Sequence, residues 1–239
     1  MKLDILAIGV HPDDIELSCT GTLLAHIALG KKVGLLDLTR GELGTRGTPE
    51  LRSQEAETAR QMTGALIREN AGMADGFFTH SQDNLKKIIR VVRNYKPEIV
   101  LMNAVRDRHP DHARAAKLTS EACYLSGLSK IGTYDQQGHS QQAWRPRAMY
   151  HYVQDYHLEP DFVVDISSYM DRKLEIILAF KSQFYAPGMS GPQTPISGAD
   201  FMEYQRSRCA VYGRTAGFQY AEGFNVVRYP GIKNLFDLH

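Results

Sequence analysis

The sequence predicts an α/β protein built on a doubly wound, mostly parallel sheet with helices on both faces. Two observations lead to this fold class. Short apolar runs without polar alternation, such as residues 5–10 and 99–102, are typical of strands that are buried on both faces of a parallel sheet. Segments of helical periodicity separate these runs, and a repeated strand-helix order favours parallel strands joined by right-handed crossovers. The expected architecture is therefore Rossmann-like, with a single domain over residues 1–239.

The first strand-helix-strand unit occupies residues 5–39. Its opening apolar run, residues 5–10, predicts the first strand. Between Thr20 and Ile27, residues recur at i, i+3, i+4 and i+7 in the pattern of an amphipathic helix, and Gly30 is placed to end that helix. Residues 33–39 are mostly apolar and predict the second strand.

A loop and further helices follow this unit. The polar, glycine-rich segment 40–48 predicts a loop, and the helix predicted after it spans about residues 49–63, with a proline in its first turn. Helical periodicity over residues 85–92 predicts another helix. Pro97 ends that helix before the strand predicted at residues 99–102.

The second half of the chain has a weaker pattern. Residues 148–153 and 162–166 predict strands, and apolar spacing over residues 170–177 predicts a helix. The segment 185–200 is rich in Gly, Pro and Ser, and it is either a surface loop or a mobile wall over an active site.

Length, composition and charge limit the classes of function. The chain has 239 residues, of which 43% are hydrophobic and 23% charged, as expected for a folded globular protein with one sizeable core. Its 28 Lys plus Arg and 27 Asp plus Glu are interspersed, so neither nucleic acid nor an anionic membrane is an expected partner. No apolar run of about 18 residues and no signal-peptide pattern is visible, which predicts a cytoplasmic protein. The three cysteines are widely spaced, so any metal site is expected to use His and Asp.

The tripeptide His-Pro-Asp occurs twice, at residues 11–13 and 109–111, each time a few residues after an apolar run. In a doubly wound sheet, ligands bind beyond the carboxyl ends of the strands, so both copies are expected at one edge. For either copy alone, a helix cap formed by Asp together with a proline in the first turn is the simple structural alternative. A shared site also accounts for the His before each proline. It further accounts for Asp14, which follows the first copy, and for His112, which follows the second.

The two copies together supply the ligands of one metal ion. His11 and Asp14 are three residues apart and can converge from a tight turn, and His112 completes a set of two imidazoles and one carboxylate. Three protein ligands with an open fourth position are typical of catalytic zinc. The same set can hold ferrous iron. Such an ion activates water and polarises a carbonyl group, which suits hydrolysis of an amide or an ester.

Two further groups of the motifs remain for proton transfer. Asp13, beside the ligands, is suited to take a proton from the attacking water. His109, three residues before His112, is suited to stabilise an oxyanion or to protonate the departing amine.

With these motifs the chain resembles the LmbE-like, or PIG-L-like, metal-dependent N-deacetylases, which act on N-acetylglucosamine conjugates. The family's His-Pro-Asp-Asp motif after an apolar strand matches residues 11–14, and its later His-x-x-His motif matches His109 and His112. The resemblance implies the same three zinc ligands, and it implies the same roles for the two proton-transfer residues.

Further segments resemble one branch of that family, the bacillithiol biosynthesis deacetylases. These segments are residues 39–42, residues 44–47, Arg52 with Glu55, Arg108, residues 181–184 and residues 220–224. That branch removes acetate from N-acetylglucosaminyl malate and leaves glucosaminyl malate. The resemblance also implies a homo-oligomer, for example a hexamer.

Arg52 and Arg108 are the predicted malate-binding residues. The rigid guanidinium fork of arginine matches a carboxylate, and a malate moiety carries two carboxylates. The alternative for these arginines is an ion pair at the surface, for example between Arg52 and Glu55 at i and i+3.

Several other functions are alternatives to a malate-conjugate deacetylase. The first strand-helix turn lacks the three-glycine fingerprint and carries two carboxylates, which argues against dinucleotide binding. A non-catalytic metal-binding protein, a deacetylase of another N-acetylglucosamine conjugate or of chitooligosaccharides, and a thiol-conjugate amidase stay open, because pocket walls determine the substrate. Four other histidines lack ligand-like spacing and are expected at the surface or in satisfied core positions: His80, His139, His151 and His157.

Overall fold

Strands and helices alternate along most of the chain in the computed structural model, which describes residues 1–185 and 191–237. The strands are Ile5–Gly9 (β1), Val33–Thr39 (β2), Ile67–Met73 (β3), Ile99–Met102 (β4), Ala148–Tyr152 (β5), Phe162–Asp165 (β6) and Ala221–Val226 (β7). The α-helices are Asp14–Ala28 (α1), Pro49–Thr63 (α2), Gln82–Tyr95 (α3), Pro110–Leu125 (α4), Met170–Ile177 (α5) and Phe201–Thr215 (α6). Short 3₁₀ turns lie at Ser167–Tyr169 and Leu235–Asp237.

The strands form one sheet in the order β3-β2-β1-β4-β5-β7-β6. Strands β1 to β5 pair in parallel, whereas β7 is antiparallel to both β5 and β6. This arrangement confirms the predicted doubly wound, mostly parallel sheet. The chain leaves β1 toward β2 on one side and returns to pair β4 on the other side, so the switch of direction lies between β1 and β4.

Strand β1 shows why an apolar run without alternation predicts a central strand. Leu6 and Ile8 pack on one face of the sheet, in a core shared with α3 and α4. Ile5 and Ala7 pack on the opposite face, in a core shared with α1. Because successive side chains point to opposite faces of a strand, a strand covered by helices on both sides needs apolar residues at every position.

Four strands and α-helices are not predicted from the sequence, namely β3, α4, α6 and β7. Strand β3 is an edge strand with a polar sequence. The buried side chain of its Arg68 forms ion pairs with Glu16 at 2.5 Å and with Asp37 at 2.7 Å. Strand β7 likewise carries Glu222, a fully buried carboxylate. Both strands are stabilised by tertiary ion pairs, which hydrophobic periodicity does not detect.

A buried ion pair fixes the helix that carries part of the first motif. The carboxylate of Glu222 accepts hydrogen bonds from the backbone N–H groups of Gly21 and Thr22 in the middle of α1. Lys173 on α5, which is also fully buried, donates to the same carboxylate at 2.5 Å and to Leu17 O at 2.9 Å. Helix α1, which begins at Asp14, is thereby held against β7 and α5.

The predicted loop at residues 185–200 lies only partly within the described chain, because residues 186–190 fall outside it. Ile196 in the described part lines the large pocket beside the two motifs. Ile196 therefore contributes to the pocket wall, and mobility of the segment stays a prediction. No helix within residues 1–185 and 191–237 has both the length and the apolar character needed to cross a bilayer.

Candidate active site at the switch point of the sheet

Both His-Pro-Asp motifs lie where β1 and β4 end, at the point where the sheet changes direction. A pocket of about 440 Å³ opens there. Its lining includes all the residues that the sequence analysis proposes for the site: His11, Asp13, Asp14, Arg52, Arg108, His109 and His112. The crevice beyond the carboxyl ends of strands at such a switch point is where doubly wound proteins bind ligands.

The backbone of the first motif is strained at Asp13. This residue has φ 124° and ψ −22°, in the left-handed region that favours glycine. Non-glycine residues in such conformations cost on the order of 1–3 kcal/mol and persist only where their surroundings hold them. The surroundings here are the hydrogen bond from Leu17 N to Asp13 O and the contact of the Asp13 carboxylate with Arg52. The turn thus points Asp13 and Asp14 in different directions.

Asp14 is held as a carboxylate by a dense set of donors. Its Oδ2 accepts hydrogen bonds at 3.0 Å from the backbone N–H groups of Val10 and His11 and from the side chain of Asn103. Burial opposes ionisation, but His112, His11 and these hydrogen bonds outweigh it and keep the pKa of Asp14 well below its usual range. The other oxygen, Oδ1, accepts from Gln154 at 3.2 Å and faces His112.

The carboxylate of Asp14 lies beside both predicted imidazole ligands. Asp14 Oδ1 lies 3.1 Å from His112 Nε2, and Asp14 Oδ2 lies 3.7 Å from His11 Nδ1. Two ligand atoms at about 2.0–2.1 Å from a tetrahedral zinc are separated by roughly 3.3–3.4 Å. Asp14 thus approaches each imidazole through a different oxygen, at a separation close to that between two ligands of one zinc ion, and two imidazoles with a carboxylate are donor types that zinc binds.

Each of the two candidate ligand imidazoles is oriented by a second carboxylate. Asp75 Oδ1 lies 3.0 Å from His11 Nε2, and Asp107 Oδ2 lies 2.5 Å from His112 Nδ1. These contacts leave His11 Nδ1 and His112 Nε2 available for a metal. Carboxylates that accept from the outer nitrogen of a metal-binding histidine fix its tautomer and raise its basicity.

Four supporting residues of the site are not predicted from the sequence: Asp75, Asn103, Asp107 and Gln154. Asp75 follows β3, and because β3 itself is not predicted, nothing in the sequence places Asp75 at the edge of the sheet. Asn103 follows β4 and Gln154 follows β5. A polar residue just after a predicted strand is the sequence signal that could have indicated both of them. Asp107 has a comparable signal, since it precedes the second motif by two residues.

Removal of either outer carboxylate is expected to weaken zinc binding. Asp75→Asn and Asp107→Asn should each lower the affinity for zinc by about 10-fold to 100-fold, because the imidazole loses its orientation and part of its basicity. Competition with a chromophoric chelator measures this affinity. Asp135→Asn is a matched control, since the Asp135 carboxylate also contacts a histidine, His139, but at the surface and outside the pocket. Unchanged zinc affinity in both site variants would contradict the assigned role.

His109 is placed as a neutral hydrogen-bond donor. Its Nδ1 accepts a hydrogen bond from Asp111 N at 3.2 Å, so the ring proton lies on Nε2. Burial, together with the neighbouring His11 and His112, lowers the pKa of His109. A neutral imidazole that carries its proton on Nε2 is suited to donate to an oxyanion or to a departing amine.

The three imidazoles form an alternative ligand set. Ligand atoms of His11, His109 and His112 lie within 4.8 Å of one another, and so do those of His11, Asp75 and Asp111. We favour Asp14 over His109 as the third candidate ligand, because Asp14 is ionised and its carboxylate lies beside both His11 and His112. In the second group, both oxygens of the Asp111 carboxylate already accept hydrogen bonds, from Gly76 N at 2.8 Å and from Arg114 Nη1 at 2.6 Å.

Arg52 is buried and forms an ion pair with Asp13. Its Nη2 lies 3.2 Å from Asp13 Oδ2 and donates to Pro12 O at 2.6 Å, and its Nη1 donates to Gly41 O at 3.3 Å. The alternative of an ion pair with Glu55 at the surface is wrong, because Glu55 accepts hydrogen bonds from Ser182 instead. Burial raises the pKa of Asp13 and Arg52 opposes that rise.

Arg108 lies at the rim of the pocket. Its Nε donates to Asp155 Oδ2 at 2.6 Å, and its side chain is 38% exposed. For both Arg52 and Arg108, a role in holding malate stays a prediction, and each has a carboxylate partner within the protein.

The four histidines without ligand-like spacing do not line this pocket. His151 is buried and its Nδ1 contacts Asn103 O at 2.7 Å, which is a satisfied core position. His80 and His139 are exposed and lie beside Glu121 and Asp135.

Comparison with known proteins gives consistent matches. Residues 6–123 match the PIG-L family model, described as GlcNAc-PI de-N-acetylase. A diacetylchitobiose deacetylase of Thermococcus kodakarensis is 30% identical over 243 aligned positions, which cover 95% of this chain and 84% of that protein.

Solved structures resemble the chain over almost its full length. The crystal structure of the conserved protein TT1542 from Thermus thermophilus gives a TM-score of 0.84 at 32% identity and covers 97% of both chains. The fold is also that of the N,N'-diacetylchitobiose deacetylase from Pyrococcus horikoshii, with a TM-score of 0.78 at 24% identity over 93% of this chain and 83% of that one. With both motifs in place and similarity along nearly its whole length, the chain belongs to the PIG-L, or LmbE-like, family of N-deacetylases.

Proposed function

We propose that this protein is a zinc-dependent hydrolase that removes acetate from an N-acetylglucosamine conjugate. The proposed substrate is N-acetylglucosaminyl malate, and the products are acetate and glucosaminyl malate, as in bacillithiol biosynthesis. One arrangement supports the proposal: Asp13, whose backbone is strained, and the neutral imidazole of His109 line the same pocket as the adjacent Asp14 carboxylate and His112 imidazole.

His11, Asp14 and His112 would hold the ion. When bound there, zinc would polarise the amide carbonyl and make a water molecule more acidic. Ferrous iron suits the same donor set and is the alternative ion. Asp75 and Asp107 keep the two imidazoles in the orientation that this binding requires.

Asp13 is the proposed general base. Its buried position raises the pKa of the carboxyl group, and a base is most effective when its pKa approaches the working pH. The guanidinium of Arg52 contacts Asp13 Oδ2 and keeps the carboxylate in place. Asp13 would take a proton from the attacking water while Arg52 holds its orientation.

His109 is the proposed donor on the other side of the reacting amide. Because Asp111 N fixes the tautomer with the proton on Nε2, this group can donate a hydrogen bond to the oxygen on which negative charge develops. The same proton can then pass to the nitrogen of the departing glucosamine.

The choice of malate conjugate rests on the segments that resemble the bacillithiol branch. One of them, residues 181–184, brings Gln183 to the pocket wall, and Arg108 also lines the pocket. The second candidate substrate is a chitooligosaccharide, because the relative from Thermococcus kodakarensis is a diacetylchitobiose deacetylase and the match covers 95% of this chain.

Acetate release by zinc-loaded protein tests the proposal and separates the two candidates. We expect a kcat/KM for N-acetylglucosaminyl malate at least about 10-fold above the values for free N-acetylglucosamine and for diacetylchitobiose. Metal-depleted protein is the control and should release no acetate until zinc is restored. A preference for diacetylchitobiose would overturn the malate assignment, and full activity without metal would overturn the zinc-dependent chemistry.

A further inference from the structure

Three arginines line the pocket, and they differ in their partners. Arg52 is paired with Asp13 at 3.2 Å, and Arg108 is paired with Asp155 at 2.6 Å. The third, Arg208 on α6, has no carboxylate partner within residues 1–185 and 191–237. A carboxylate ligand would have to compete with an internal acid for the first two arginines, but not for Arg208.

Neutral oxygen atoms hold Arg208 in place. Its Nη2 donates to the backbone oxygen of Leu17 and to the side-chain oxygen of Gln205, both at 3.0 Å. Its Nε and Nη1 make no hydrogen bond to any residue in the described part of the chain. Nη2 therefore fixes the position of the guanidinium, while Nε and Nη1 stay available as donors. Two neighbouring donors of this kind can bind a carboxylate with two hydrogen bonds.

The hydrogen bond to Leu17 O places Arg208 close to the candidate metal ligands. Leu17 is three residues after Asp14 on α1, which is less than one helical turn, or about 4.5 Å along the helix axis. Leu17 and Gln205 line the same pocket as the candidate metal ligands. A substrate whose acetamido group lies at Asp14 would thus bring an adjoining substituent toward α6.

We propose that Arg208 binds a carboxylate of the substrate's aglycone and so selects acidic N-acetylglucosamine conjugates over neutral ones. This inference rests on the proposed function. It shifts malate recognition from Arg52 and Arg108, which are engaged with internal carboxylates, to an arginine that the sequence patterns do not single out.

The test compares a substrate that carries two carboxylates, N-acetylglucosaminyl malate, with its uncharged dimethyl ester. Wild-type protein should prefer the acid. Arg208→Gln should raise KM for the acid by about 10-fold to 100-fold and leave kcat, and both constants for the ester, within about 3-fold of wild type. Arg208→Lys keeps the charge but loses the fork, so it should recover part of the preference.

Arg206→Gln is a matched control on the same helix. Arg206 pairs with Asp171 at 2.6 Å and does not line the pocket, so its replacement should leave the ratio of acid to ester unchanged. If Arg208→Gln lowered activity equally for acid and ester, or for neither, the role of Arg208 would be overturned. The proposed function would still hold in that case, provided that wild-type protein releases acetate from the malate conjugate. Absence of acetate release from the malate conjugate by wild type would overturn the proposed substrate, and the role of Arg208 with it.

Discussion

Replacement of Asp13 by asparagine is expected to lower kcat by about 10²-fold to 10⁴-fold while zinc stays bound, because the general base is lost and the ligands are not. Asparagine is the suitable substitute, since it tolerates the left-handed backbone that residue 13 adopts with φ 124°. Steady-state acetate release gives kcat, and metal analysis of the same sample gives the zinc content.

The matched control for that variant is Asp37→Asn. Asp37 is also a buried carboxylate paired with an arginine, Arg68, but it does not line the active-site pocket. We expect Asp37→Asn to lower the melting temperature and to leave kcat per bound zinc within a few-fold of wild type. Near wild-type kcat in Asp13→Asn would remove Asp13 as the base, and loss of zinc in that variant would instead make Asp13 a ligand.

The second large effect separates the two candidate ligand sets. Asp14→Ala is expected to lose zinc and all measurable activity, because a ligand is removed and the donors on Val10, His11 and Asn103 lose their acceptor. His109→Ala is expected to keep zinc and to lose about 10²-fold to 10³-fold in kcat, as for removal of an oxyanion donor.

Zinc content and acetate release measured on both variants decide between the sets, with circular dichroism confirming that each protein is folded. The opposite pattern, in which His109→Ala loses zinc and Asp14→Ala retains it, would establish the three imidazoles as the ligands.

The elements that position the site are those that the sequence predicts well. Strands β1 and β4 are buried on both faces and therefore appear as short apolar runs, and each motif begins within seven residues of the end of its strand. The parallel arrangement then places both motifs at one edge, so the proximity of His11, Asp14 and His112 is predictable from strand order alone.

The supporting residues are less predictable because tertiary contacts select them. Nothing in the spacing of Arg52 indicates that it pairs with Asp13 rather than with Glu55, since that choice depends on how α2 packs beside the first motif. Similarly, α6 has no strong apolar stripe, so the sequence does not place Arg208 in the pocket wall. Long-range ion pairs and hydrogen bonds leave no periodic pattern in a sequence.

Anomalous diffraction from a zinc-loaded crystal tests the central claim most directly. We expect one zinc ion per chain, held by His11, Asp14 and His112, with Asp13 and His109 beside it but not bound to it. A zinc ion ligated by His109 in place of Asp14, or bound outside this pocket, would contradict the account.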